Sequence, residues 1–258
     1  MNLPKKSTIF LKNDTLFYGV RSKFSYFVRR TVSGTRKFEQ DKMNILLAGA
    51  TGLTGKYLLE RLVNDQRVEN IHLLLRREPG LRSSKITKHF TDLDDLENLT
   101  VEDKIDVVIS CLGTTQKKSG KKGLYKVDHD YVVGLAEWAK KNGAEKFIMM
   151  SSVGAGSRSR LSYYLRVKGE AEDDVKKLGI PSVIILRPSL LVGPRDEYRP
   201  AEVFGEKVLN FFRPLLRAFW KNQVPVKAAD VAGAILHECF EKGVGVKILH
   251  TTEIVNSE

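Results

Sequence analysis

The stretch Asn44-Ile-Leu-Leu-Ala48-Gly49-Ala-Thr51-Gly52-Leu53-Thr54-Gly55 runs a short apolar segment straight into three glycines spaced GxxGxxG. An apolar run of this length bounded by glycine reads as a strand buried on both faces. The residues that follow, 53–62, carry the apolar period of a helix. A strand, a glycine turn and a helix are what a pyrophosphate needs. The first glycine permits the tight turn, the second lets backbone amides approach the phosphates, and the third lets the helix pack close to the strand. Twenty glycines in the chain can also produce a plain strand-to-helix turn, so the weight rests on the loop's place at the first βα junction. Gly49, Thr51, Gly52, Leu53, Thr54 and Gly55 are the expected contacts of a nicotinamide dinucleotide.

Outward from this loop, apolar runs alternate with helical patterns, the sign of a parallel sheet covered on both faces. Strands are expected at 44–48, 71–75, 85–90, 106–112, 147–150 and 182–186, and helices at 53–62, 127–141 and 163–177. The expected fold is a doubly wound α/β (Rossmann) domain over 43–258, with a small helical region at about 189–223 covering a substrate. In that region Val203, Val208, Leu209, Phe211, Phe212, Phe219 and Trp220 suit either an apolar pocket or a helix packed on the core or on a partner.

Composition narrows the function classes. At 258 residues, 42% apolar and 29% charged, the chain suits one globular α/β domain. No window holds eighteen uninterrupted apolar residues, so no membrane-spanning segment is expected. Cys111 and Cys239 are too few for a disulfide framework or a thiolate cage, and the five histidines are scattered, so no metal is expected and a reducing compartment is favoured. Much of the net charge of +12 lies in residues 1–42, which hold ten Lys/Arg against three Asp/Glu and no acid between Thr15 and Phe38. Three readings of this extension stand open. It is a targeting segment such as a mitochondrial presequence, a basic anchor on an anionic surface, or a structureless or spurious extension. The last is favoured because Met43 stands directly before the first strand. The cytoplasm is the expected location, with the mitochondrion as the alternative if 1–42 is a presequence. No recognition module accompanies the charge, so no nucleic-acid partner is expected.

Two further clusters refine the site. Leu75-Arg76-Arg77-Glu78 follows the second strand, where an acid would hold a ribose hydroxyl and arginines a 2′-phosphate. Arg76 and Arg77 therefore point to NADP(H) in preference to NAD(H). Tyr164-Leu-Arg-Val-Lys168 sets a phenol and an ammonium one helical turn apart on one face, about a dozen residues after Ser151-Ser152 at the end of a strand. Such a Tyr/Lys pair also arises by chance on an amphipathic surface helix.

In this order the glycine loop, the serine pair and the YxxxK motif resemble the short-chain dehydrogenase/reductase superfamily. The chain is more closely similar to its atypical branch, the Tat-interacting-protein oxidoreductases. That likeness lies in Cys111-Leu-Gly-Thr-Thr115, Val127-Asp-His-Asp-Tyr-Val132, Tyr164-Leu-Arg-Val-Lys-Gly-Glu170, Leu186-Arg-Pro188, Arg199-Pro-Ala-Glu202 and Val224-Pro-Val226. It runs from about Asn44 to about Leu236.

The resemblance implies hydride transfer to or from a small carbonyl or alcohol substrate. Tyr164 would be the general acid/base, Lys168 would hold the nicotinamide ribose and lower the tyrosine pKa, and Ser152, or Ser151 in its place, would bond the substrate oxygen. It also implies that Cys111, Leu112, Gly113 and Thr114 line the cofactor, that Asp92 and Leu93 flank the adenine, and that Pro188 and Leu191 border the nicotinamide amide. Cys111 itself reads as packing. Asp128 stands where many members carry the asparagine of a proton-relay water, so that relay does not carry over. The branch includes members thought to sense rather than turn over a substrate, and an NADPH-binding regulatory scaffold is the rival reading. Association into a homo-oligomer stays open.

Overall fold

The computed structural model describes residues 8–12, 15–19, 30–31, 42–76, 78, 80–160, 162–193 and 225–257. The chain divides into two compact units, Met1–Asp41 and Lys42–Glu258. In the first, β1 (Thr8–Lys12) pairs antiparallel with β2 (Thr15–Gly19), which pairs antiparallel with β3 (Arg30–Thr31). Sequence favoured a structureless extension here, and the structure differs at these residues. Thr-Ile-Phe-Leu and Thr-Leu-Phe-Tyr are β-forming runs, separated in sequence by the turn-forming pair Asn13-Asp14.

The second unit runs β4 (Met43–Ala48), α1 (Leu53–Asn64), β5 (Val68–Leu75), β6 (Ile86–Phe90), a 3-10 segment (Leu93–Asn98), β7 (Val107–Ser110) and α2 (Gln116–Tyr125). A π-helical turn (Lys126–Asp130) leads into α3 (Tyr131–Lys141). There follow β8 (Lys146–Met150), α4 (Tyr163–Lys177), β9 (Ser182–Arg187), β10 (Leu191–Val192), β11 (Val226–Lys227), α5 (Ala228–Phe240), β12 (Gly245–His250) and α6 (Thr251–Val255). Seven strands form one sheet in the order β12-β9-β8-β7-β4-β5-β6, and every pairing in it is parallel. The doubly wound α/β expectation holds.

Alternation along the strands builds two cores. Ile45 and Leu47 of β4 face Leu58 and Leu62 of α1 and Val231 and Ile235 of α5, while Leu46 and Ala48 face Leu135 and Trp138 of α3 and Ala171 and Val175 of α4. All of these side chains are buried. Each Leu or Ile removed from water in this way stabilises the fold by about 1.5–3 kcal/mol.

The chain order reverses at β4, whose neighbours are β5 on one side and β7 on the other. Ligands of such sheets bind at the carboxyl ends of the strands at this switch point. The loops leaving β4 and β7 therefore flank the crevice.

Among the elements that escaped the sequence reading are α5, β12 and α2. β12 pairs with β9 as an edge strand and leaves Gly245 to Lys247 exposed, so its apolar pattern is weak. Helix α2 holds four lysines and two glycines, poor helix signals, and Gly120 breaks its regular geometry at φ 68° and ψ −179°. The covering region falls mostly at residues 194–224, outside the described residues; its two flanks, β10 and β11, pair in parallel with each other.

The glycine loop yields a direct test of the packing. A Cβ on Gly55 would lie 2.1 Å from the Gly49 carbonyl oxygen, whereas one on Gly243 would meet nothing within 4 Å. Gly55→Ala should lower unfolding stability by about 1–3 kcal/mol, the cost of forcing an extra carbon into packed backbone. Gly243→Ala should leave the urea midpoint almost unchanged, and equal midpoints for the two variants would contradict this account.

Candidate active site

Gly49 follows β4 with φ +86°, a conformation that L side chains rarely adopt, and a Cβ there would lie 2.6 Å from the Cys111 carbonyl oxygen. The Cys111 N–H donates to the Ala48 carbonyl at 2.9 Å, so the ends of β4 and β7 are tied together. α1 starts after its N-cap Gly52; among the described residues no side chain caps its first amides, and its first turn holds no acid. Those amides and the positive end of the helix suit an anion.

On α4, Tyr164, Lys168 and Glu172 recur every four residues and face inward. Ser152 lies near enough to the Tyr164 phenol to favour its ionised form. Lys168 Nζ lies 2.8 Å from Asp128 Oδ1, both side chains buried, and donates to the Met150 carbonyl at 3.0 Å. Asp128 Oδ2 accepts the Thr114 N–H at 2.8 Å. The π-helical turn that carries Asp128 is an insertion of the kind found at functional sites.

Glu172, also buried, accepts the Ser151 hydroxyl at 2.5 Å and takes Arg187 on both oxygens, at 2.9 and 2.5 Å. Ser151 is thereby committed to Glu172. Ser152 has no part in that cluster and lies near Tyr164.

The charges sort accordingly. Burial pushes the Tyr164 pKa above the ordinary phenol value; the nearby Asp128 adds to the rise, while Lys168 and Ser152 only offset it in part. The expected lowering of the tyrosine by Lys168 is therefore overcome. Burial opposes the Lys168 charge, but Asp128 and Tyr164 outweigh it and hold its pKa above the ordinary value. Burial pushes the Cys111 thiol up to about 12, which fits its reading as packing.

With this geometry in view, the comparisons with known proteins bear on what the loop binds. A family described as NAD(P)H-binding matches residues 49–210. The chain belongs to this NAD(P)H-binding family. Protein HTATIP2 of Rattus norvegicus is 32% identical over 212 residues, covering 81% of this chain and 86% of its own length. The protein named fmp52, mitochondrial, of Emericella nidulans is 35% identical over 205 residues, covering 74% and 87%. These relatives match the Tat-interacting-protein likeness of the motifs.

Among solved structures, MoeE5 in complex with UDP-glucuronic acid and NAD superposes with a TM-score of 0.60 at 20% identity, covering 81% of this chain and 76% of that one. A UDP-galactose 4-epimerase gives 0.60 at 18%, with the same coverage. At these identities the likeness is one of fold.

Within this NAD(P)H-binding fold the remaining expected residues lie as follows. Thr54 and Gly55 are buried in the first turn of α1, and Thr51, Gly52 and Leu53 are more open. Leu112, Gly113 and Thr114 follow β7, with Gly113 exposed. Arg76 is exposed just after β5; Arg77 lies outside the described residues. Asp92 caps the 3-10 segment by accepting the Asp94 N–H, and Leu93 is buried in the core, so packing and capping already account for both. Pro188 is buried and its carbonyl accepts the Val153 N–H at 3.0 Å, while Leu191 belongs to β10.

Sequence reasoning missed Glu172 and the partner role of Asp128. Their signal was present: Glu172 continues the four-residue spacing of Tyr164 and Lys168, and Arg187 lies in the Leu186-Arg-Pro188 motif. Gly169 was missed too. A Cβ there would lie 2.1 Å from the Gly156 carbonyl carbon, so this glycine lets the loop after β8 lie against α4.

The division of labour between the two serines is measurable. Ser151→Ala removes a buried hydrogen bond to a carboxylate and should cost about 1.5–3 kcal/mol in urea unfolding. Ser152→Ala, at a more exposed position, should cost less than about 1 kcal/mol. The reverse order of stabilities would show that the serines have been assigned the wrong way round.

Proposed function

We propose that this chain is an NADP-dependent oxidoreductase that transfers hydride to or from a carbonyl or alcohol carbon, with Ser152, Tyr164 and Lys168 at its centre. The observation that carries the reading is the buried Lys168 ammonium, 2.8 Å from Asp128 and one helical turn from Tyr164, with Ser152 near enough to act on that phenol, at the carboxyl ends of the strands next to the switch point. Membership of an NAD(P)H-binding family supports the cofactor class.

The residues present fit a dinucleotide. Among the described residues no side chain caps the first amides of α1, and Gly49 and Gly55 keep the loop close to β7 and to its own helix. At Gly113 a Cβ would lie 3.4 Å from Asp128 Oδ1 and 3.9 Å from Lys168 Nζ, so bare backbone leaves room beside the ammonium. The bound nicotinamide supplies or accepts the hydride. Ser152 donates a hydrogen bond to the substrate oxygen as its negative charge grows, and Tyr164 exchanges a proton with that same oxygen. Lys168 contributes positive charge at the ribose end of the site.

Preference for the 2′-phosphate rests on Arg76, exposed after β5, and on its surroundings. Glu78, the nearby acid able to compete by holding a ribose hydroxyl, is ion-paired with Lys88. On location, relatives whose printed name is mitochondrial, together with the acid-free basic stretch 15–38, favour the mitochondrial alternative over the cytoplasm.

One observation favours a second reading, a protein that binds NADPH as a structural or regulatory ligand. Asp128 already occupies the Lys168 ammonium that a nicotinamide ribose would engage.

Two measurements decide between these readings. Calorimetric titration should find NADPH bound at least about tenfold more tightly than NADH, roughly 1.4 kcal/mol, and Arg76→Ala should erase most of that difference; equal affinities in the unaltered protein would remove the NADP assignment. Tyr164→Phe should lower carbonyl turnover by about 10²- to 10⁴-fold while NADPH affinity stays nearly constant. Turnover at the full rate in that variant would end the catalytic assignment, and no turnover by the unaltered protein across a panel of aldehydes and ketones would favour the regulatory reading.

A further inference from the structure

Three inward groups of α4 meet three different partners. Tyr164 lies near Ser152, Lys168 is paired with Asp128, and Glu172 meets Ser151 and Arg187. The Lys168 contact has the greatest electrostatic consequence, because its side chain and that of Asp128 are 3% and 0% exposed and 2.8 Å apart. Asp128 is held in place independently of Lys168 by the Thr114 N–H at 2.8 Å, and Lys168 is held independently of Asp128 by the Met150 carbonyl at 3.0 Å. A lone ammonium within about 4–6 Å of a phenol draws off its proton. A paired one, its charge partly balanced at contact distance, does so less.

We propose that Asp128 is a positioning residue that absorbs the Lys168 charge and so keeps Tyr164 a proton donor, favouring carbonyl reduction over alcohol oxidation at this site. The catalytic consequence rests on the Ser152-Tyr164-Lys168 reading above; the electrostatic claim concerns the protein without cofactor.

The groups facing these side chains pull in opposite directions. Burial and Asp128 raise the Tyr164 phenol, Lys168 and Ser152 lower it, and the sum lies above the ordinary 10.0. Around Lys168, burial works against the charge, while Asp128, Tyr164 and Glu172 sustain it. Cys111, also near Lys168, is pushed up to about 12 by burial and stays a neutral thiol.

In reduction, the substrate carbon accepts hydride supplied by NADPH, which becomes NADP⁺. The π pair of the C=O bond moves onto oxygen, and that oxygen takes the proton of the Tyr164 O–H. The phenolate then recovers a proton from water. Alcohol oxidation requires a phenolate at the outset, and a phenol held above its ordinary pKa withholds it near neutral pH.

The test is a pH titration of the full-length, cofactor-free protein followed by tyrosinate absorbance, with the same titration of Tyr164→Phe subtracted to isolate this phenol. Tyr164 should ionise above 10.0 in the unaltered protein. In Asp128→Asn it should ionise at least about one pH unit lower, a tenfold loss of proton affinity. Should Asp128→Asn fail to fold, Lys168→Met is compared with Lys168→Met/Asp128→Asn, each against its own Tyr164→Phe counterpart. The double variant, which carries neither charge, should ionise about one unit below Lys168→Met and near the unaltered protein.

Ionisation of Tyr164 at or below the ordinary value, or no movement when the Asp128 charge is removed, overturns the proposal. Where a carbonyl is reduced, the alkaline limb of kcat/KM should follow the same titration, and a limb that ignores it overturns the catalytic consequence. If Tyr164 titrates as expected while Tyr164→Phe keeps full turnover, the Ser-Tyr-Lys reading has failed and the charge pairing of Asp128 with Lys168 stands.

Discussion

The backbone of the glycine loop passes so close to β7 and to α1 that no side chain fits between them. A Cβ at Gly49 would meet the Cys111 carbonyl oxygen at 2.6 Å, and one at Gly55 would meet the Gly49 carbonyl oxygen at 2.1 Å. This contact lies at the sheet's switch point, so it fixes where α1 starts, where the chain leaves β7, and how near the cofactor loop comes to the elements carrying Lys168 and Asp128. A doubly wound sheet leaves a crevice at this point by topology alone. The glycines make it narrow enough for backbone amides to line it.

Helix α4 then supplies the polar chemistry from a single face. Tyr164, Lys168 and Glu172 follow one another at intervals of four, and each is met by a residue from a different element: Ser152 after β8, Asp128 in the π-helical turn, and Arg187 at the end of β9. Breaking a buried ion pair by removing one partner costs about 3–5 kcal/mol, a large share of the 5–15 kcal/mol typical of whole-domain stability. Two such pairs on one helix therefore make the position of α4 depend on its charges as well as on Leu165, Val167, Ala171 and Val175, which bury its apolar face. Of these charges Lys168 and Asp128 also act on the Tyr164 phenol, behind the larger effect of burial, so at those two positions helix anchoring and site electrostatics are linked.

Membership of an NAD(P)H-binding family and a Rossmann-like sheet account for the loop but leave turnover to be decided by experiment. The Asp128 to Lys168 pair is the feature on which that decision turns. It favours reduction if the site is catalytic, and it accounts for a quiet site if the dinucleotide serves a regulatory purpose.

Local sequence was enough to indicate β4, the glycine loop, α1, and the one-turn spacing of Tyr164 and Lys168, because each has a signature within about a dozen residues: a run of aliphatics, spaced glycines, a helical period. It also ranked Ser152 above Ser151 through the family likeness. It did not disclose β12, whose exposed edge erases the apolar pattern, or α2, whose lysines and glycines signal no helix. Nor did it disclose that Asp128 reaches Lys168 forty residues further on, that Ser151 is claimed by Glu172, or that burial raises the tyrosine which Lys168 alone would lower. Those outcomes belong to the tertiary structure for one physical reason: the strength and sign of an electrostatic interaction depend on which groups are brought together out of water, and that juxtaposition exists only once the sheet has assembled.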